Sequence, residues 1–190
     1  MIDFILASGS PRRLALLEQI GVSPAAVIPD DIDETPFKNE LPKPYALRMA
    51  EQKALAVAEK NPGRFVLAAD TVVACGRRIL PKAETREQAA ECLDLLSGRR
   101  HHVRGGICLI CPNGKRLLRA VDTAVVFKPL SLEEKRRYLD GCEWEGKAGG
   151  YAIQGGAALF VRKIIGSYSN VVGLSLFETG ALLSHFSEKK

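Results

Sequence analysis

Phe65-Val66-Leu67-Ala68-Ala69-Asp70-Thr71-Val72-Val73-Ala74 is apolar or small throughout, except at Asp70 and Thr71. A short run of this composition predicts a central β-strand covered by other elements. Asp70 is its anomaly. A carboxylate is costly to bury unless it is paired or bound to metal, so the strand is expected to meet a cleft at this residue. Asp70 then serves as a general base or as a Mg²⁺ ligand. The plainer reading is a structural salt bridge. Function is favoured, because perturbed carboxylates concentrate at sites.

The elements on either side support a sheet around that strand. Residues 4–7 form a short apolar strand, and Ser8-Gly9-Ser10-Pro11 opens a helix, with Ser10 at the N-cap and Pro11 in the first turn. Leu14, Leu16, Leu17 and Ile20 give that helix its apolar side, and Gly21 ends it. Residues 26–29 read as a second strand, 30–39 as an acidic loop, and 45–60 as a helix stopped by Asn61-Pro62-Gly63. Downstream, Thr85 with Gln88 and Ser131 with Glu134 are capping boxes for helices reaching Leu96 and about Cys142. Residues 101–111 and 115–127 predict a hairpin around Asn113-Gly114. A glycine-rich segment at 146–153 enters a strand, 157–165 is a further strand, and 174–186 a final amphipathic helix. The expected fold is α/β: a mixed, twisted sheet with flanking helices and a central groove. No linker divides the chain, so residues 1–190 are expected to form one domain.

Composition narrows the partners. With 46% hydrophobic residues in a chain of 190, a sizeable core needs no disulfide staple. No run of 18 apolar residues occurs, which excludes a membrane-spanning helix and leaves no membrane partner to expect. The first residues, Met1-Ile2-Asp3-Phe4, lack a basic leader region, so the chain is expected in the cytoplasm. A net charge of +5 favours an anionic partner, but the basic residues are scattered and aromatics are only 6%. That argues for a small anion and against nucleic acid. Five cysteines, an odd number, read as free thiols. Cys108 and Cys111 lie three apart on a strand and so point to opposite faces, which does not suit a shared zinc.

Several segments can carry chemistry. Ser8-Gly9-Ser10-Pro11-Arg12-Arg13 crowds two hydroxyls and two guanidinium groups at a helix start, a cradle for phosphate. A plain capped helix with exposed arginines fits equally. In Asp30-Asp31-Ile32-Asp33-Glu34 one or two acids could bring Mg²⁺ to a phosphate chain, while Asp30 and Asp31 read as a solvated turn. Lys53 in an Ala-rich helix and Lys82 in a loop after a strand are weak signals on their own. The glycines of Gly146-Lys147-Ala148-Gly149-Gly150-Tyr151-Ala152-Ile153-Gln154 permit close approach to a base, and Gln154 can both donate and accept. A bulged hairpin is the plainer alternative there. His101 and His102 point to opposite faces of a strand, which disfavours a histidine metal site.

Taken in order, Ser8-Gly-Ser-Pro-Arg-Arg13, Ala69-Asp-Thr71, Leu96-Ser-Gly-Arg-Arg-His101, Gly146-Lys-Ala-Gly-Gly-Tyr-Ala-Ile-Gln-Gly155 and Ile165-Gly-Ser-Tyr-Ser-Asn-Val-Val-Gly173 resemble the Maf family of nucleoside triphosphate pyrophosphatases. The resemblance implies a fold like that of the inosine triphosphate pyrophosphatases, with a groove between two lobes. It also implies a cytoplasmic enzyme, dimeric in many members, that needs a divalent cation (Mg²⁺ or Mn²⁺). The pairing of Ser-Pro-Arg-Arg with Ala-Asp-Thr and Ile-Gln-Gly is similar to the branch acting on dTTP and UTP. By position, Asp70 then matches the proton acceptor. Arg12, Thr71 and Gln154 match the positions linked to base choice. Ser8, Arg13, Glu34, Lys53 and Lys82 match the phosphate and metal end, where Ser10 adds a second hydroxyl. The family's Gly-Lys-Pro reads Pro81-Lys82-Ala83 here.

The expected reaction is hydrolysis of a pyrimidine nucleoside triphosphate to monophosphate and pyrophosphate, as a nucleotide-pool sanitiser. Two alternatives stand beside it: a pyrophosphatase for purine or modified nucleotides, and a nucleotide-binding inhibitor of septum formation.

Overall fold

The computed structural model describes residues 2–29 and 32–186. Asp30 and Asp31, read above as a solvated turn, lie outside the described residues. The expected mixed α/β architecture is present. Its main sheet runs β2 (Ala26–Val27), β1 (Phe4–Ala7), β3 (Phe65–Cys75), β6 (Arg100–Ile110), β7 (Arg116–Phe127), β9 (Val161–Ile165), with β4 (Arg78–Leu80) paired to the end of β3. Strands β1, β2 and β3 are parallel; the remaining pairs are antiparallel.

The site follows from a gap in this sheet. β1 is paired to β3 only through Ala7↔Ala68, and β4 joins β3 only from Val73 onward. Between them Ala69–Val72 have no strand on that side among the described residues, and there the chain leaves β1 to start α1 (Pro11–Gln19). Such departures beyond the carboxyl ends of strands are where open α/β sheets form binding crevices. Asp70 and Thr71 are thus exposed to a crevice although their strand is central.

Successive β3 residues face opposite sides. Val66, Ala68, Asp70 and Val72 face α2 (Pro42–Ala58), while Leu67, Ala69 and Val73 belong to the larger core. α2 buries Ala46, Met49, Ala50, Lys53, Ala54 and Val57, a stripe at helical spacing. It lies unusually close to the sheet: a Cβ on Gly106 would meet the Ala46 carbonyl oxygen at 2.1 Å. Gly106 is the register partner of Asp70. Only a glycine there lets the helix settle low enough to bring Lys53 against Asp70. The helix and the strand are held together by apolar burial worth about 1.5–3 kcal/mol per large side chain.

Both capping boxes form, opening α3 (Arg86–Leu96) and α4 (Leu132–Asp140). The β6–β7 hairpin turns at Asn113-Gly114 as expected, with Gly114 at φ 79°. Elsewhere local expectations give way. Residues 146–153 hold only the two-residue β8 (Lys147–Ala148), which pairs with β5 (Lys82–Ala83) as a separate ribbon. The chain then turns through Gly149 and Gly150 at φ 68° and 67° and packs against Val73. Residues 157–165 begin as a 3-10 helix, Gly156–Phe160, because Glu143 Oε2 accepts the Gly156 N–H at 2.7 Å and turns the chain. A short helix, α5 (Tyr168–Val172), precedes α6 (Leu176–Ser184) and was not expected. Ser10 does occupy the N-cap of α1, but its side chain makes no cap bond; the Ser10 N–H is taken instead by Ser8 Oγ at 3.2 Å. All five cysteines are free, and Cys108 and Cys111 are buried.

Candidate active site

A groove of ≈ 280 Å³ opens at the sheet gap. Its walls come from the β1–α1 turn, from β3, from the β5–β8 ribbon with the turn after it, and from the end of α5. Of the residues singled out in the sequence, Ser10, Arg12, Arg13, Lys53, Asp70, Thr71, Lys82 and Gln154 line it. Glu34 lines an adjoining cavity that shares Asp70, Thr71 and Lys82 with the groove. Ser8 lies just beneath, 1% exposed.

Lys53 organises the floor. Its Nζ is 2.8 Å from Asp70 Oδ1 and 2.7 Å from Glu34 Oε1, and Lys82 Nζ binds Glu34 Oε2. Lys53 is 4% exposed, so it is no ordinary surface lysine. Burial opposes its charge, but Asp70 and Glu34 outweigh burial and hold the ammonium above the usual lysine value. Burial likewise opposes charge on Glu34, and the bonds from Lys53 and Lys82 hold its carboxyl below the usual range. Two lysines therefore alternate with two carboxylates along the floor, a set of pairs that a phosphate chain can rearrange.

The α1 end of the groove is built from donors. Ser8 Oγ accepts from Arg13 Nη1 at 3.0 Å, and Arg13 Nε donates to the Gly173 carbonyl at 2.9 Å. Arg12 Nε donates to the Val172 carbonyl at 3.3 Å, and Thr71 Oγ1 to Gly173 at 3.2 Å. The last carbonyls of α5 thus orient both arginines and the threonine. α5 itself is pinned by Asn170, 1% exposed, whose Nδ2 donates to Val103 O and Thr123 Oγ1 at 3.0 and 3.1 Å. Gln154 sits exposed on the rim.

The sequence reading missed three groups that shape the site. Tyr45 Oη donates to the Glu34 carbonyl at 2.8 Å, and Arg48 clamps the same loop through Glu40, Thr35 O and the Phe37 ring. Lys147 lines the groove beside Arg12. Tyr45 and Arg48 on one helix carry no visible chemistry in the sequence; Lys147, a charge inside a glycine-rich turn, does carry a signal.

A divalent cation fits this donor set on chemical grounds. Glu34 and Asp70 offer hard carboxylate oxygens at one spot, and no group of three or more His, Cys, Asp or Glu gathers among the described residues. A cation of the Mg²⁺ kind, which keeps waters and shares phosphate oxygens, needs no more protein ligands than that.

Comparison with known proteins agrees with the fold. The chain is 64% identical over 186 residues to the dTTP/UTP pyrophosphatase of Paramagnetospirillum magneticum, covering 98% of each chain. It is 61% identical to the dTTP/UTP pyrophosphatase of Rhodospirillum rubrum, covering 95% of this chain and 86% of that one. The nucleoside triphosphate pyrophosphatase of Ehrlichia canis is 53% identical over 184 residues, covering 97% of this chain and 96% of that one. Among solved structures, the HAM1 protein of Coxiella burnetii superposes with a TM-score of 0.56 at 17% identity, over 97% of this chain and 100% of that one. That likeness concerns the fold. With the family model for Maf-like proteins matching residues 3–186 as well, the chain belongs to the Maf-like protein family.

Proposed function

We propose that this protein hydrolyses pyrimidine nucleoside triphosphates, dTTP and UTP, to the nucleoside monophosphate and pyrophosphate. The observation that carries the reading is the Lys53-centred floor, with Asp70 at 2.8 Å, lying beside the Ser8–Arg13 turn in one groove. Its relatives in Paramagnetospirillum magneticum and Rhodospirillum rubrum, named as dTTP/UTP pyrophosphatases, support the choice of substrate.

In this reading the water oxygen bonds to the α-phosphorus, the bond from α-phosphorus to the bridging oxygen breaks, and pyrophosphate leaves. Asp70 takes the water's proton; it is nearly buried, and Lys53 fixes one of its oxygens so that the other can face the water. Arg13, Lys53 and Lys82 neutralise the triphosphate and the charge that develops on the leaving group. Ser10 and the start of α1 meet phosphate oxygens, and Ser8, buried just beneath, orients Arg13 toward them. Arg12, Thr71 and Gln154 meet the base. Glu34 and Asp70 would hold Mg²⁺ or Mn²⁺, which when bound supplies further charge neutralisation at the phosphates. Removal of these nucleotides before incorporation is the role this chemistry serves, in the cytoplasm where their pool lies. No described helix is long and apolar enough to cross a membrane.

Product analysis tests the reading. The wild type and Asp70→Asn are incubated with Mg²⁺ and dTTP, UTP, CTP, GTP or ITP, and products are resolved by chromatography. Monophosphate and pyrophosphate from dTTP and UTP, absent with Asp70→Asn, is the expected result. Diphosphate and orthophosphate would mean a different bond is cleaved, and tight binding without turnover would favour a nucleotide-binding role.

A further inference from the structure

Arg12 and Lys147 reach one groove from different elements, Arg12 from α1 and Lys147 from β8. Among the described residues neither forms an ion pair, in contrast to Lys53 and Lys82. Each is steadied by one backbone carbonyl: Arg12 Nε by Val172, and Lys147 Nζ by Glu145 at 2.8 Å. An ammonium has three donors and no acceptor, so Lys147 keeps two donors for a ligand. Burial, and then the charge of Arg12, hold Lys147 below the usual lysine value. Glu145 offsets this only in part, and two like charges held in one groove without an ion pair are a cost that a ligand rich in acceptors removes.

The surroundings of this pair suit a base better than a phosphate. Register places Lys82 beside Ala148 and Lys147 beside Ala83, so the two lysines leave the ribbon on opposite faces. Both lysines line the groove, but they enter it from different faces of the ribbon. The groove they share also has apolar walls, among them Val73, Ile153 and Tyr151. The Tyr151 hydroxyl is turned away to His101 Nε2 at 2.9 Å, leaving the ring as wall. Apolar walls with donor-only groups between them suit a flat base edged with carbonyl oxygens.

We propose that Lys147 is a specificity-determining residue, donating to the 4-carbonyl of the base and thereby favouring the 4-oxo pyrimidines thymine and uracil over the 4-amino pyrimidine cytosine. This rests on the pyrimidine reading above. Gln154 both donates and accepts, so it can satisfy a carbonyl or an amino group and cannot alone reject cytosine. Arg12 and Lys147 can only donate, and a cytosine amino group facing them leaves donors opposed. A site built to hydrogen-bond one group discriminates most strongly when the mismatch strands its own polar groups.

The test is calorimetric binding of the non-hydrolysable α,β-imido analogues of dTTP and dCTP, with turnover measured in parallel. The variants are Lys147→Met, Lys147→Gln and Lys147→Arg, each checked by thermal melting. The wild type should prefer the thymine analogue. Lys147→Met should shrink that preference roughly tenfold, the scale of one lost hydrogen bond in a desolvated site. Lys147→Arg should keep it, and Lys147→Gln, able to accept, should shift it toward cytosine. An equal fall for both analogues would overturn the proposal and make Lys147 a phosphate contact; an unchanged ratio, or no preference in the wild type, would overturn it too. A wild type that shows the predicted binding shifts but releases no pyrophosphate would sink the hydrolytic reading while sustaining this one.

Discussion

Thr71 Oγ1 donates to the carbonyl of Gly173 at 3.2 Å, and the same oxygen accepts Arg13 Nε at 2.9 Å. One carbonyl therefore joins the central strand, the first helix and the end of α5. Gly173 holds φ 147°, a conformation L side chains rarely adopt, so this oxygen's direction depends on glycine. The last motif of the sequence is in this way structural support for the donors that line the groove.

Thr71→Val keeps the shape and removes the donor. Loss of one hydrogen bond of about 1 kcal/mol should lower kcat/KM for dTTP about fivefold. The loss should appear mainly in KM, with a narrower gap between dTTP and CTP, because the threonine shares its carbonyl partner with Arg13 and so orients a binding group. Steady-state kinetics on both nucleotides check this. A fall confined to kcat would place Thr71 in the chemical step instead.

Lys53→Met tests the floor. The substitution strands Asp70, 5% exposed, beside a second carboxylate with no shared cation. Breaking a buried pair from one side costs about 3–5 kcal/mol, so urea unfolding should show a large loss. Adding Asp70→Asn to Lys53→Met should restore part of that stability, since the stranded charge is then gone. Turnover should be lost in both variants. A single variant as stable as the wild type would mean that the pair is not coupled in solution.

How much of this was legible follows from the range of each interaction. The Thr85–Gln88 and Ser131–Glu134 boxes are local in sequence and were read correctly. Asp70 was legible because one charge in an apolar strand has few explanations. The Lys53 partnership was not, since an amphipathic helix tolerates a lysine almost anywhere and only the close seat of α2 on Gly106 buries this one. β5 and β8 hold two residues each and exist only because they pair with each other across a long stretch of chain. α5 is five residues, too short for a helical period to declare itself. Resemblance to the family carried the assignment of Glu34, which local reading left among several acids.

The loop bearing Glu34 is held to α2 by Arg48. Its guanidinium donates to Glu40 at 2.8 and 2.6 Å, donates to the Thr35 carbonyl at 3.2 Å, and lies 3.8 Å over the Phe37 ring. Arg48→Ala should free this loop and raise the Mg²⁺ concentration needed for half-maximal activity several-fold, with saturating kcat changed less. Lys at this position should recover only part, because it lacks the planar fork that grips Glu40 and stacks on the ring. A Mg²⁺ titration of each variant checks this; unchanged metal dependence would separate the loop from the cation.

Acid stability should be governed in part by His101. Its ring is fully buried among Phe127 and Tyr151, with Nδ1 lacking a partner, and burial followed by the charge of His102 pushes its pKa down to about 4 from 6.5. Above pH 6.5 the imidazole is neutral in both states and stability is unaffected. As pH falls below 6.5 the unfolded chain binds a proton that the folded chain refuses, so stability drops until about pH 4, where the folded ring protonates too. The total loss across this window is roughly 3 kcal/mol on the scale of 1.36 kcal/mol per pKa unit. His101→Gln removes the titration while retaining a polar partner for Tyr151 Oη, at some cost in packing. Its unfolding free energy should be lower than that of the wild type at pH 7.5 yet flatter between pH 6.5 and 4. Parallel slopes for the two proteins, measured by urea unfolding across that range, would assign the acid sensitivity to groups other than His101, Glu34 among them.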